Sequence, residues 1–183
     1  LSELILKQVV NDLGGVKYKV LDDNIAIDIN LVSEPSNFEI VWKQLQKHQI
    51  DIVLQPIKNR RKNILLADMD STMIEQECID ELADEAGVGK RVAEITKRAM
   101  NGELDFEDAL IERVKLLKGL SSDIIVNVLK GRITLMPGAE SLIKTMKRNG
   151  SYCALVSGGF TDFTEAISKI LGFDENRANT LLQ

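Results

Sequence analysis

At 183 residues the chain has room for one full domain or two small ones, and a 44% apolar content argues against disorder. A net charge of -5 with mixed signs argues against a nucleic-acid surface, and the basic run Arg60-Arg61-Lys62 reads as a solvated linker. One histidine, His48, and two distant cysteines, Cys78 and Cys153, without metal spacing, exclude most imidazole and thiolate mechanisms.

In chain order, residues 1–57 have their own rhythm. A helical pattern over 2–13 precedes a strand near 17–21, a turn at Asp22-Asp23-Asn24 and the alternating strand Ile25-Ala26-Ile27-Asp28-Ile29. A second helix follows with Ser36 as its expected N-cap, and residues 50–55 form an expected strand ended by Pro56. One more strand in front would make this α-β-β-α-β order a ferredoxin-like β-α-β-β-α-β unit. In topology it is similar to the ACT-type domains often fused to amino-acid enzymes, and carries no binding residues across. Since Leu1 falls inside the expected first helix, further residues are expected upstream. Structural, dimerising and ligand-sensing roles all stay open for this unit.

After a linker at 58–62, the run Ile64-Leu65-Leu66-Ala67 reads as a buried strand of a parallel sheet and leads into Asp68-Met69-Asp70-Ser71-Thr72. Doubly wound α/β domains place ligands beyond the carboxyl ends of such strands. Two acids converging there can divide the work of covalent phosphoryl transfer, one attacking and one trading a proton. Solvated turn residues are the plain alternative. More than 80 residues then separate this strand from the next, Tyr152-Cys153-Ala154-Leu155-Val156, so something is inserted. The insert, about 75–133, carries four amphipathic helical stripes, the third capped by Asp105, and is expected to form a lid over the site. Pro137 and Gly138 start another helix, with Leu142, Ile143 and Met146 facing the core. The second strand runs into Ser157-Gly158-Gly159-Phe160 and a helix over 161–171, where a hydroxyl, backbone N–H groups and a helix N-terminus can face a phosphate. Carboxylates without imidazoles or clustered thiolates suit a hard cation such as Mg²⁺.

Arg113 falls by helical spacing among Phe106, Leu110, Val114 and Leu117, where a guanidinium either captures a carboxylate or phosphate or snorkels to solvent. Glu77 is not distinguished by pattern, sharing a polar face with Glu81 and Asp84.

Three segments, Asp68 to Asp80, Phe106 to Val114 and Val156 to Phe160, together with Asn176-Arg177-Ala178-Asn179, closely resemble the phosphoserine phosphatases of the haloacid dehalogenase-like superfamily. The resemblance covers roughly residues 63 to 183. It implies a Rossmann-like parallel sheet with a four-helix cap, and hydrolysis of O-phosphoserine in serine biosynthesis through a phosphoaspartate. It also implies Asp68 as nucleophile, Asp70 as general acid and base, and Mg²⁺ held by the Asp68 carboxylate and the Asp70 backbone carbonyl. Glu77 is implied to meet the substrate amino group, Arg113 its carboxylate, and Ser157 and Gly158 the phosphoryl oxygens. Met100 and Phe106 match pocket-lining positions, although plain core packing would explain either. The family's phosphate lysine and Gly-Asp-Gly-x-Asn-Asp segment have no counterpart here, so the chain is expected to be a C-terminally incomplete piece with little activity alone. A cytoplasmic protein without membrane or nucleic-acid partners is expected; a homodimer is one option, and the sequence is silent on oligomeric state. Another phosphohydrolase or phosphotransferase of the superfamily, or an amino-acid-sensing module on an inactive catalytic piece, remain alternatives.

Overall fold

The computed structural model describes residues 2–182, which divide into two compact units between Arg60 and Arg61. In the first unit, helix α1 (Glu3–Asp12) starts at Ser2, whose hydroxyl accepts from the Ile5 N–H. Strands β1 (Lys17–Asp22) and β2 (Ala26–Asn30) pair antiparallel, and helix α2 (Phe38–Gln46) follows. A small core of Val9, Leu13, Val41 and Leu45 holds the unit, with Ile29, Phe38, Ile50 and Ile52 packed against it.

Three expectations change here. Asn37, not Ser36, is the N-cap position of α2, and its amide donates 2.7 Å to the Asp12 carbonyl instead of capping the helix. Residues 51–56 form no strand. A strand exists only by pairing, and neither outer edge of the β1–β2 pair takes up residues 50–55, so Ile50 and Ile52 pack on the small core without a ladder. Arg60 is not simply solvated: its guanidinium grips both Asp28 oxygens at 2.6 and 2.7 Å and holds that carboxyl below its ordinary pKa.

The second unit is built on a three-stranded parallel sheet in the order β3 (Ile64–Ala67), β4 (Tyr152–Phe160), β5 (Glu175–Asn179). The insert between β3 and β4 folds as α3 (Cys78–Glu85), α4 (Gly89–Met100), α5 (Phe106–Lys115) and α6 (Asp123–Gly131). Helix α7 (Ala139–Arg148) leads into β4, and α8 (Thr161–Leu171) follows it. Asp105 caps α5 as expected, accepting the Asp108 N–H at 2.8 Å. Among the described residues no helix is long and apolar enough to cross a membrane.

One apolar cluster runs from the sheet (Ala67, Leu155) through α7 and α8 (Ile143, Phe163, Ile167) to the insert (Ile79, Leu82, Val128). The sheet is covered less completely than the sequence suggests. Ile64 and Leu66 of β3 are 64% and 70% exposed, because α7 and α8 cover the face bearing Ala67 and Leu155, while parallel sheets usually bury both faces. In α7, Ile143 is buried as expected, whereas Leu142 is 42% exposed.

Candidate active site

The loop after β3 turns on one backbone oxygen. The Met69 carbonyl accepts from the N–H groups of Thr72, Met73 and Ile74 at 3.2, 2.8 and 3.1 Å, and the Met69 side chain is fully buried. With methionine as the anchor, the acids on either side stay at the mouth: Asp68 is exposed and Asp70 half-buried. One Asp68 oxygen, Oδ1, accepts the Met69 N–H at 2.7 Å. Asp70 Oδ1 is buried without a hydrogen-bond partner; burial pushes the carboxyl above its ordinary pKa, Cys78 opposes the shift through its thiol and N–H, and the charges of Glu77 and Asp68 add to it.

Strand β4 continues through Phe160, further than the expected end at Val156, with its register against β5 shifting between Val156 and Phe160. In that irregular stretch Ser157 Oγ accepts the Gly159 N–H at 2.8 Å, and the Asn179 amide of β5 donates 2.8 Å to the Gly158 carbonyl. The two loops converge at Gly159, where an added Cβ would stand 3.1 Å from both Asp70 Oδ2 and Ser157 Oγ. Phe106, first residue of α5, closes over the same spot: a Cβ on Gly158 would lie 3.1 Å from its ring.

The insert contributes charges of both signs. Glu77 precedes α3 and does not cap it; its Oε1 accepts the Ser71 hydroxyl at 2.7 Å. Arg113 donates through Nε to the Ala109 carbonyl at 3.2 Å, which spares its terminal nitrogens. Asp80 lies in the fields of both: burial and Glu77 raise its pKa while Arg113 lowers it. Asp68, Asp70, Glu77, Ser157, Gly158 and Phe106 are thereby brought together, with Arg113 linked to Glu77 through Asp80. Met100 is not; it ends α4 at 85% exposure, outside the apolar cluster and the hydrogen bonds that join the others. Plain core packing is removed for Met100 and for Phe106, which is 65% exposed.

Sequence reasoning missed Ser71, Cys78, Asp80 and Asn179. Cys78, fully buried, neighbours the Asp70 carboxyl, and burial with that acid pushes its thiol pKa up. The segment 176–179, read as a match without a structural role, lies in β5 (Glu175–Asn179), whose Asn176 accepts from Thr164 Oγ1 at 3.0 Å.

A hard cation would find oxygen here. Among the described residues no three His, Cys, Asp or Glu side chains group as a metal site, but Mg²⁺ needs only one or two protein carboxylates beside water and phosphate. The exposed Asp68 carboxylate and the Asp70 carbonyl, which accepts no backbone hydrogen bond, meet that requirement.

Comparison with known proteins identifies the family. The chain is 45% identical over 141 residues to the phosphoserine phosphatase of Archaeoglobus fulgidus, an alignment covering 76% of this chain and 41% of that protein. A structure described as the phospho-aspartyl intermediate analogue of a phosphoserine phosphatase matches with a TM-score of 0.62 and 45% identity, over 68% of this chain and 59% of that one. A HAD family hydrolase from Salmonella enterica matches 98% of this chain and 64% of that one, with a TM-score of 0.84 and 27% identity. The chain thus spans well under two thirds of the curated relative's length. The family model for haloacid dehalogenase-like hydrolases matches residues 65–183, and with its acid pair and serine-glycine loop at adjacent strand ends the chain belongs to that family.

Proposed function

We propose that the full-length protein hydrolyses O-phosphoserine to serine and phosphate. The observation that carries this reading is the convergence of Asp70 and Ser157 on Gly159, beside Asp68 and beneath an insert carrying Glu77 and Arg113. An Asp68 oxygen attacks phosphorus while the bond to the serine oxygen breaks, and Asp70 gives that oxygen its proton. Burial of Asp70 supports this, because it lets the acid keep a proton to higher pH. Water then attacks phosphorus, Asp70 takes its proton, phosphate departs and the Asp68 carboxylate is restored. Ser157 and the Gly158 N–H hold the phosphoryl oxygens. Mg²⁺, held by the Asp68 carboxylate and the Asp70 carbonyl, would offset the repulsion between carboxylate and phosphate.

Substrate choice falls to the insert, where an acid and a guanidinium complement a zwitterion: Glu77 takes the amino group and Arg113 the carboxylate. Phe106 walls the pocket on the insert side, and Met100 is assigned to the same wall by the resemblance alone. The physiological setting we assign is serine biosynthesis in a reducing cytoplasm, where Cys78 and Cys153 stay free thiols. The N-terminal unit is read as ACT-like on its α-β-β-α order, with structural, dimerising and ligand-sensing roles all open to it, and the 183 residues alone are expected to turn over poorly.

Arg113→Ala in the full-length enzyme tests the assignment. Loss of a charge-assisted bidentate contact should lower kcat/KM on O-phosphoserine by about 100-fold and leave phenyl phosphate within about threefold. Equal losses on both substrates would mean that a different phosphomonoester is the natural one.

A further inference from the structure

Ser71 sits at φ 53°, in the left-handed region. Three other non-glycine residues among those described share that sign, and two of them are asparagines, which tolerate the conformation. Serine has no such ease, and glycine would occupy the position without strain. What serine adds over glycine is one hydroxyl, and that hydroxyl donates to Glu77 Oε1 at 2.7 Å. An observed backbone outlier with a specific polar partner beside a reaction centre points to function.

The surrounding bonds fix both ends of this contact. The Ser71 N–H donates to the Gln76 carbonyl at 3.1 Å, closing the loop so that residue 71 faces residue 77. Gln76 is held in turn by Thr134, which it meets through its amide nitrogen at 2.8 Å and its amide oxygen at 2.9 Å. Glu77 makes no cap to α3, so its carboxylate is committed to Ser71 rather than to its own helix. One oxygen is occupied by the hydroxyl, and Oε2 is left to a ligand. With Asp80 beside the Glu77 carboxylate, the ligand that would complement it is a cation.

We infer that Ser71 is a positioning residue: through its hydroxyl it aims the Glu77 carboxylate at the amino group of the substrate, and so sets the preference of the site for amino-bearing phosphomonoesters. This deepens the O-phosphoserine reading and rests on it. The amino group lies away from the reacting phosphorus, so its contact forms in ground and transition states alike and its loss enters KM.

Ser71→Gly removes hydroxyl and strain together, and Ser71→Ala removes the hydroxyl alone. In the full-length enzyme both should raise KM for O-phosphoserine about tenfold, with kcat within about threefold. The ratio of kcat/KM on O-phosphoserine to that on phenyl phosphate, which lacks the amino group, should fall about tenfold in both. Variants that keep the wild-type ratio, or that lose both substrates equally, would overturn the role of Ser71 while the substrate assignment stands. A wild-type enzyme without preference for O-phosphoserine would overturn that assignment, and this inference with it.

Discussion

Gly159 shows how little room the site leaves at the level of single atoms. Its φ is not in the left-handed region, so its lack of a side chain matters for space rather than for conformation. A methyl group there would press on Asp70 Oδ2 and Ser157 Oγ at 3.1 Å, and one of them must give by a few tenths of an ångström. Misplacement of a proton donor by that much is costly, since about 1 Å can lose a factor of 10². Gly159→Ala should therefore cut kcat about tenfold in steady-state assays with little change in KM; an unchanged kcat would contradict this packing. Asp68, Asp70, Ser157 and Gly158 were legible because carboxylates and a serine-glycine pair at strand ends have few plain explanations in that order. Gly159 was read as part of that loop, but its close approach to Asp70, the role of Ser71 and that of Asn179 were not legible, because a missing Cβ, a positive φ and a bond from a neighbouring strand become visible only once the chain is folded.

Elements stabilised by their own sequence were read well, and those made by their neighbours were not. Asp105 announces α5 because an acid before an apolar periodic run accepts a free N–H, as it does from Asp108 at 2.8 Å. Replacing it with Ala should cost about 1 kcal/mol of stability in urea unfolding. Because α5 carries Phe106 and Arg113, the same change should raise KM for O-phosphoserine more than it lowers kcat; a stable variant with unchanged kinetics would separate the cap from the site. Strand β5, by contrast, reads Glu-Asn-Arg-Ala-Asn and shows no apolar alternation, yet it pairs with β4 across Ala154, Leu155 and Val156. The converse error lies at residues 50–55, where a strand-like pattern finds no partner, since neither outer edge of the β1–β2 pair takes it up. In both places pairing overrides local preference.

For the molecule as a whole, the second unit is one cooperative body, since a single apolar cluster joins sheet, α7, α8 and insert. Asp174 ties that body together near the start of β4: it accepts the Cys153 N–H at 2.8 Å and pairs with Lys147 of α7. The Lys147 contact, then the Cys153 N–H, holds its carboxyl below the ordinary value of 3.8. A carboxyl with a lowered folded pKa contributes stability that is complete above the unfolded pKa and is lost as pH falls through the folded one. Asp174→Asn should thus lower Tm at neutral pH, and the gap to wild type should narrow as pH drops below about 3.8; a gap constant with pH would deny the tie. The division between Arg60 and Arg61 falls within the stretch read as a linker, 58–62, whereas the half-exposed sheet face was not legible, because an apolar strand does not say how many of its faces are covered. All of the proposed chemistry rests on Asp68 carrying phosphorus for part of each cycle. Rapid acid quench of the full-length enzyme during turnover of O-phosphoserine, followed by peptide mass spectrometry, should find a phosphoryl adduct on Asp68 that is absent in Asp68→Asn; continued turnover with that residue unmodified, or in the Asn variant, would contradict the account.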